Sequence, residues 1–170
     1  MATQTPVLGL TKPELTDEIP ATILALAENA DKIEGAIASG GTFTPTLGAT
    51  TAHPTVTYAA QEGAWARVGP LVFVFVRIDW TAISGGSGDV RILGLDALPA
   101  PGMSLAQILP GRTLGVDFTA GRSAVYATFP STGGLRVVSY GSGVGGQNIS
   151  LAHLGSNGSL IFQGVYLTSQ

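Results

Sequence analysis

The hydrophobic period changes once along this chain, from helical spacing to strict alternation, and that switch limits the fold more than any other feature. Ile19, Ile23, Leu26, Ala30, Ile33 and Ile37 recur at alternating spacings of four and three. Such spacing makes an a/d heptad seam, with Ile23, Ala30 and Ile37 at a and Ile19, Leu26 and Ile33 at d. Thr16 or Asp17 is placed to cap the start, and Pro20 falls in the first turn, where its missing N–H matters least. A helix of about 18–20 residues would run roughly 27–30 Å at 1.5 Å per residue. Isoleucine at both seam positions favours trimers or higher assemblies over dimers. The other reading of the same spacing is an amphipathic helix packed on its own domain.

Past Ala38-Ser39-Gly40-Gly41, read as a helix stop and hinge, the period is two. Between Leu71 and Trp80, Val72, Val74, Val76, Ile78 and Trp80 share one face, expected to be core. Leu71, Phe73, Phe75, Arg77 and Asp79 share the other, expected to be covered at one end and wet at the other, with Asp79 pairing Arg77. Leu114, Val116 and Phe118 alternate likewise. Further predicted strands are Val56–Ala60, Trp65–Val68, Val90–Leu95, Ser123–Phe129, Leu135–Tyr140, Ile149–Leu154 and Leu160–Thr168, with turn clusters such as Ser84–Gly88 between them. Thr42–Leu47 is a strand broken by Pro45 and therefore placed at an edge. The expected fold is mainly β: an extended arm (1–18), a short coiled-coil helix (19–39) and an antiparallel, jelly-roll-like β-sandwich (40–170).

Charge separates the same two parts. Both lysines and six of the 11 acids precede residue 39, and all arginines follow it. Charged residues make up only 11% of the chain against 45% hydrophobic, which excludes a disordered polyelectrolyte and hints at subunit contacts. A net charge of −3 gives no reason to expect nucleic acid. With no cysteine, disulfides and thiolate chemistry are excluded. The first residues lack the basic and apolar blocks of a signal peptide, and the longest apolar run, Leu71–Val76, is too short to cross a bilayer, so membrane insertion is not expected.

Motifs for chemistry are sparse. Gly141-Ser142-Gly143-Val144-Gly145-Gly146 matches a dinucleotide fingerprint literally, but no acid follows Asp117 to hold a ribose, so a hairpin loop is expected instead. His53 and His153 have no partner at ligand spacing. The five acids beyond the switch, Glu62, Asp79, Asp89, Asp96 and Asp117, include no locally spaced pair of the kind a glycosidase needs. No enzyme activity, cofactor or metal site is therefore expected. Trp65, Tyr126 and Tyr140 are candidate glycan contacts, and Trp80 could serve too, since aromatic faces stack on sugar rings; packing is the alternative role for each.

Two stretches resemble the fibre and appendage proteins of bacterial viruses. One is Leu8-Gly9-Leu10 followed by Pro13, Glu14 and the helix ending near Asp31-Lys32-Ile33-Glu34. The other runs from Gly41-Thr42-Phe43 through Gly63-Ala64-Trp65-Ala66-Arg67-Val68-Gly69 and Val72–Trp80 to Ile92-Leu93-Gly94-Leu95, where Asp96 replaces the usual proline. The resemblance implies an arm docking on another virion protein through Val7, Leu8, Leu10 and Leu15, a helix that trimerises, and a head turned outward. The corresponding expectation is a homotrimeric virion fibre or spike contacting a host surface polysaccharide. The alternative is a capsid-decoration or head-fibre protein that binds no receptor, and a depolymerase is a distant third.

Overall fold

The computed structural model describes residues 3–6, 9–14, 18–37, 39–98, 108–129 and 134–168. From the N-terminus the elements are β1 (Thr3–Gln4), β2 (Thr11–Lys12), helix α1 (Ile19–Ile37), β3 (Ser39–Phe43), β4 (Thr46–Ala49), β5 (Thr55–Val68) and β6 (Leu71–Ser84). They continue as β7 (Val90–Leu93), β8 (Ile108–Val116), β9 (Ala124–Thr128), β10 (Leu135–Gly141), β11 (Val144–Asn148), a 3-10 turn at Leu151–His153, and β12 (Leu154–Leu167).

Ten strands join in one antiparallel sheet in the order β3-β5-β6-β12-β8-β9-β10-β7-β4, with β11 added to β10. Its two ends, β3 and β4, are consecutive in the chain and separated by only Thr44 and Pro45. Three residue steps reach at most about 11 Å, so the sheet must curl until its edges meet. Side chains close the seam where no ladder does: the Leu47 amide donates to the Tyr58 hydroxyl (2.9 Å), and Gln61 Nε2 donates to the Pro45 carbonyl (2.9 Å). The edge position inferred from Pro45 therefore holds. The hydrogen-bond ladder describes a single curled sheet, where two stacked sheets were expected. Alternation reports which face is buried, and it is silent on whether opposite walls belong to one ladder.

The buried side of the curl carries Val72, Val74, Val76, Ile78 and Trp80 from β6, as their alternation predicts, with Leu47, Val90, Ile92, Leu109, Val125, Ala127, Leu135, Val137, Leu160 and Phe162 from other strands. Trp80 fills the core and donates Nε1–H to the Gly155 carbonyl (3.0 Å). Several expected boundaries move. Val56–Ala60 and Trp65–Val68 are one strand, and Gly40-Gly41 belong to β3 rather than to a hinge, pairing with Ala66 and Trp65. A Cβ on Gly40 would stand 2.9 Å from the Trp65 carbonyl oxygen, which accounts for glycine there. Ile149–Leu154 is not a strand: Ile149 is buried in a connection and Leu151–His153 turns. Strand β8 starts at Ile108, ahead of the predicted alternation, and ends at Val116. The glycine-rich stretch is the β10–β11 hairpin, turning at Ser142-Gly143 with φ of +72° at Gly143.

The N-terminal segment departs from an extended arm. Strands β1 and β2 form a small hairpin, with the Thr5 amide donating to the Leu10 carbonyl (2.9 Å). It is tied to α1: Asn29 bonds the Thr11 backbone twice, and Lys32 Nζ donates to the Gly9 carbonyl (2.9 Å). Thr16 and Asp17, the candidate caps, and Val7, Leu8 and Leu15 lie outside the described residues, as does the side chain of Ile37.

Candidate functional site

Three surfaces offer chemistry, and the first is the helix. Its half-buried positions Thr22, Ala25 and Asn29 lie on the side that carries the hairpin. The heptad seam points elsewhere: Ile19 is 77%, Ile23 62%, Leu26 55% and Ile33 38% exposed, and Ala30 is exposed too. The described part of the seam is therefore exposed in the single chain. Exposed apolar stripes of this kind are a common mark of interaction surfaces.

A second surface is the outer face of β5, β6 and β12. Their registers set side chains in cross-strand rows: Val68, Leu71 and Leu167, then Ala66, Phe73 and Val165, then Ala64, Phe75 and Gln163. Phe73 is 47% exposed, and Val68, Leu71, Val165 and Leu167 are exposed as well. Phe73 and Val165, with Ala64, Ala66, Phe75 and Pro110, border an apolar groove of about 580 Å³. The next rows turn polar, with Glu62 beside Arg77 and Asp79 beside Ser159. Arg77 Nε donates to Asp79 (2.9 Å), Nη1 reaches Glu62 (3.4 Å), and the Ser159 hydroxyl donates to Asp79 (2.6 Å). The Arg77–Asp79 pair is thus the one the alternation predicted. Burial works to raise the Asp79 carboxyl, but the bonds from Arg77 and Ser159 outweigh it and hold it below the usual carboxylate range. Because Ser39 pairs with Arg67, the helix joins the sheet beside Val68, at the apolar end of these rows.

The third surface is the outer face of β7, β9, β10 and β11. Tyr126 and Tyr140, two candidate glycan residues, meet edge to face with ring centroids 5.3 Å apart. The third, Trp65, is elsewhere: it packs against the core, and Gly41 lies against its ring. Tyr140 covers Gly146, where a Cβ would come within 2.7 Å of the phenol ring. Beside Tyr140, a cavity of about 200 Å³ is bordered by Thr128, Arg136, Val138 and Asn148. Arginine 136 was not singled out by sequence reasoning; its neighbour Arg91 is 45 positions away, and only strand register brings them together.

The histidines serve their own loops. His53 Nδ1 accepts from the Ala49 amide (3.0 Å), and His153 Nδ1 lies 2.8 Å from the Ser150 hydroxyl. Among the described residues no three histidine or acidic side chains cluster as metal ligands would, and no helix is long and apolar enough to cross a membrane.

Fold and surfaces together define a class: a curled antiparallel sheet on a short helical stalk, with unpartnered apolar area on both parts. No protein-family profile and no curated protein matches the sequence. Among solved structures, the fold is similar to the crystal structure of Dettilon tailspike protein (gp208), with a TM-score of 0.58 and 19% identity over 76% of this chain. The chain spans 23% of that protein's length, and at this identity the likeness is one of fold.

Proposed function

We propose that the chain is a structural protein of a bacterial virus, a homotrimeric tail fibre or spike whose sheet domain contacts host surface polysaccharide. The exposed seam of Ile19, Ile23, Leu26 and Ile33 carries this reading, because so much aliphatic surface on one helix face calls for a partner of the same shape. Isoleucine at a and d favours three strands, and the apolar rows around Phe73 supply further area beside the stalk. The similarity in fold to a tailspike protein supports the virion assignment. Three heads on one stalk multiply a weak sugar affinity through effective concentration.

In this reading the protein binds without catalysis. Asp79, the one acid on β6, is held ionised by Arg77 and Ser159, which unsuits it as a general acid at neutral pH. Sedimentation of the purified chain tests the assembly: a trimer is expected, and a stable monomer at micromolar concentration would end the proposal. Imaging labelled protein on the particle tests the role. Label at the tail tip fits adsorption, whereas label over the capsid lattice would replace it with decoration of the shell. Incubation with host polysaccharide should release no fragments; release abolished by Asp79→Asn or Asp117→Asn would make the protein a depolymerase.

A further inference from the structure

Arg91 on β7 and Arg136 on β10 are direct antiparallel partners, with no residue between them. Like charges set opposite each other across a strand pair destabilise it. Arg91 Nη1 and Arg136 Nε are also buried without a hydrogen-bond partner among the described residues. A buried donor left without an acceptor is costly, and more so when it is charged. The nearby carboxylate, Asp89, has one oxygen engaged by Asn148 Nδ2 (2.6 Å). Burial first, and then the charge of Arg136, press the Arg91 guanidinium below its usual range, with Asp89 opposing them. The fold thus holds two under-neutralised cations side by side, an arrangement that an oxyanion would relieve.

What surrounds the pair sets the class of anion. The 200 Å³ cavity beside Arg136 is several times the roughly 30 Å³ share of a water molecule, so it has room for a ring. Its wall includes the Tyr140 phenol, braced edge-on by Tyr126 and lying over Gly146. Arg136 lines the cavity, and Arg91 is its strand partner. An aromatic face and an amide beside the one guanidinium, with the second on the neighbouring strand, suit a sugar ring that bears a charged substituent.

We propose that Arg91 and Arg136, with Tyr140 and Asn148, form a binding site for the anionic group of an acidic saccharide. The site rests on the reading of the sheet domain as a polysaccharide-binding head, and it names the kind of polysaccharide. Carboxylate and phosphate substituents share the required chemistry.

The test is a nuclear magnetic resonance titration of the full chain with sodium glucuronate, glycerol phosphate, glucose and sodium acetate. Glucuronate or glycerol phosphate should shift the signals of Arg91, Arg136 and Tyr140 at concentrations at least about 10-fold below those glucose needs. Preference for glucuronate assigns a uronate polymer, and preference for glycerol phosphate assigns a phosphodiester polymer. Arg136→Gln and Arg91→Gln should abolish the response while melting at the same temperature as the parent or higher, because each removes half of a repulsive pair. An equal response to glucose, an equal response to acetate (an adventitious ion only), or an undiminished response in both variants would overturn the site. Cell adsorption separates this from the wider reading. Protein that adsorbs equally well with both arginines replaced sinks the site alone. Protein that binds glucuronate through the arginines yet never adsorbs to host cells keeps the site and sinks the adsorption role.

Discussion

Asn29 on the helix holds Thr11 of the hairpin by both ends of its amide: Oδ1 accepts from the Thr11 N–H and Nδ2 donates to the Thr11 carbonyl, each at 2.8 Å. A side chain here completes a strand's backbone pairing, which ties the N-terminal hairpin to the stalk. Replacing Asn29 with Ala removes both bonds, a loss of about 1–2 kcal/mol confined to the hairpin. Hydrogen exchange at Thr11 should accelerate, while the melting of the sheet stays unchanged. Deleting residues 1–15 is likewise expected to leave the sheet's melting in place and to abolish incorporation into particles. A large fall in melting temperature would instead make the hairpin part of the folded domain itself.

The proposed assembly offers two candidate contacts that can be tested separately, the seam and the sheet face. Leu26→Asp with Ile33→Asp places carboxylates in the proposed helix interface, where burial without a partner is costly. Because both positions are exposed in the single chain, the subunit itself should keep its fold. Sedimentation is expected to show monomers with an unchanged circular dichroism spectrum. If trimers survive, Phe73→Asp should break them, and the sheet face rather than the helix would hold the subunits together.

Gly63 lies directly under the Phe43 ring, closer than any side chain would permit. This contact pins edge strand β3 onto β5 at the point where the sheet closes. Gly63→Ala should destabilise the domain by about 1–3 kcal/mol through overpacking. At about 2–4 °C per kcal/mol for a domain of this size, thermal melting resolves the effect. An unchanged melting temperature would mean that Phe43 can leave its place without loss.

Alkaline pH reports on the core near the open end of β12. Burial pushes the Tyr166 phenol up to about 12, with the Arg67 charge acting weakly the other way, and burial raises Tyr58 as well, against the hydrogen bond from the Leu47 amide. The folded state therefore keeps these protons where the unfolded chain loses them. Stability is fully present below about pH 10, the unfolded value, and declines as pH rises from there towards 12. At about 1.4 kcal/mol per unit, Tyr166 accounts for a loss on the order of 2 kcal/mol. Denaturant melts across this range should show the decline, and Tyr166→Phe should flatten it.

Much of the fold was legible along the chain. The switch of hydrophobic period near residue 38 separated helix from sheet, because a helix and a strand repeat their faces every 3.6 and two residues. Alternation from Leu71 to Trp80 named the buried side chains of β6 and the Arg77–Asp79 pair, both consequences of neighbours on one strand. Pro45 marked the edge, because it cannot donate to a ladder. Strand limits were less legible where glycine or proline interrupts pairing. Gly40, Gly63, Pro110 and Gly145 all stand inside strands, at places where a neighbouring ring, a carbonyl or the edge of the ladder tolerates them.

The sequence by itself determined which residues of β6 face inward, where the helix lies and which helix face is apolar, since each depends on spacings of a few residues. The alternation at Leu114 did not carry over, and that side chain is exposed. Tertiary structure alone decided that β3 and β4 end one curled sheet, that Tyr126 meets Tyr140, and that Arg91 stands opposite Arg136. Those relations depend on register between strands far apart in the chain. Register is set by how the whole core packs, and a slip of one residue in any strand would send its side chains to the other face.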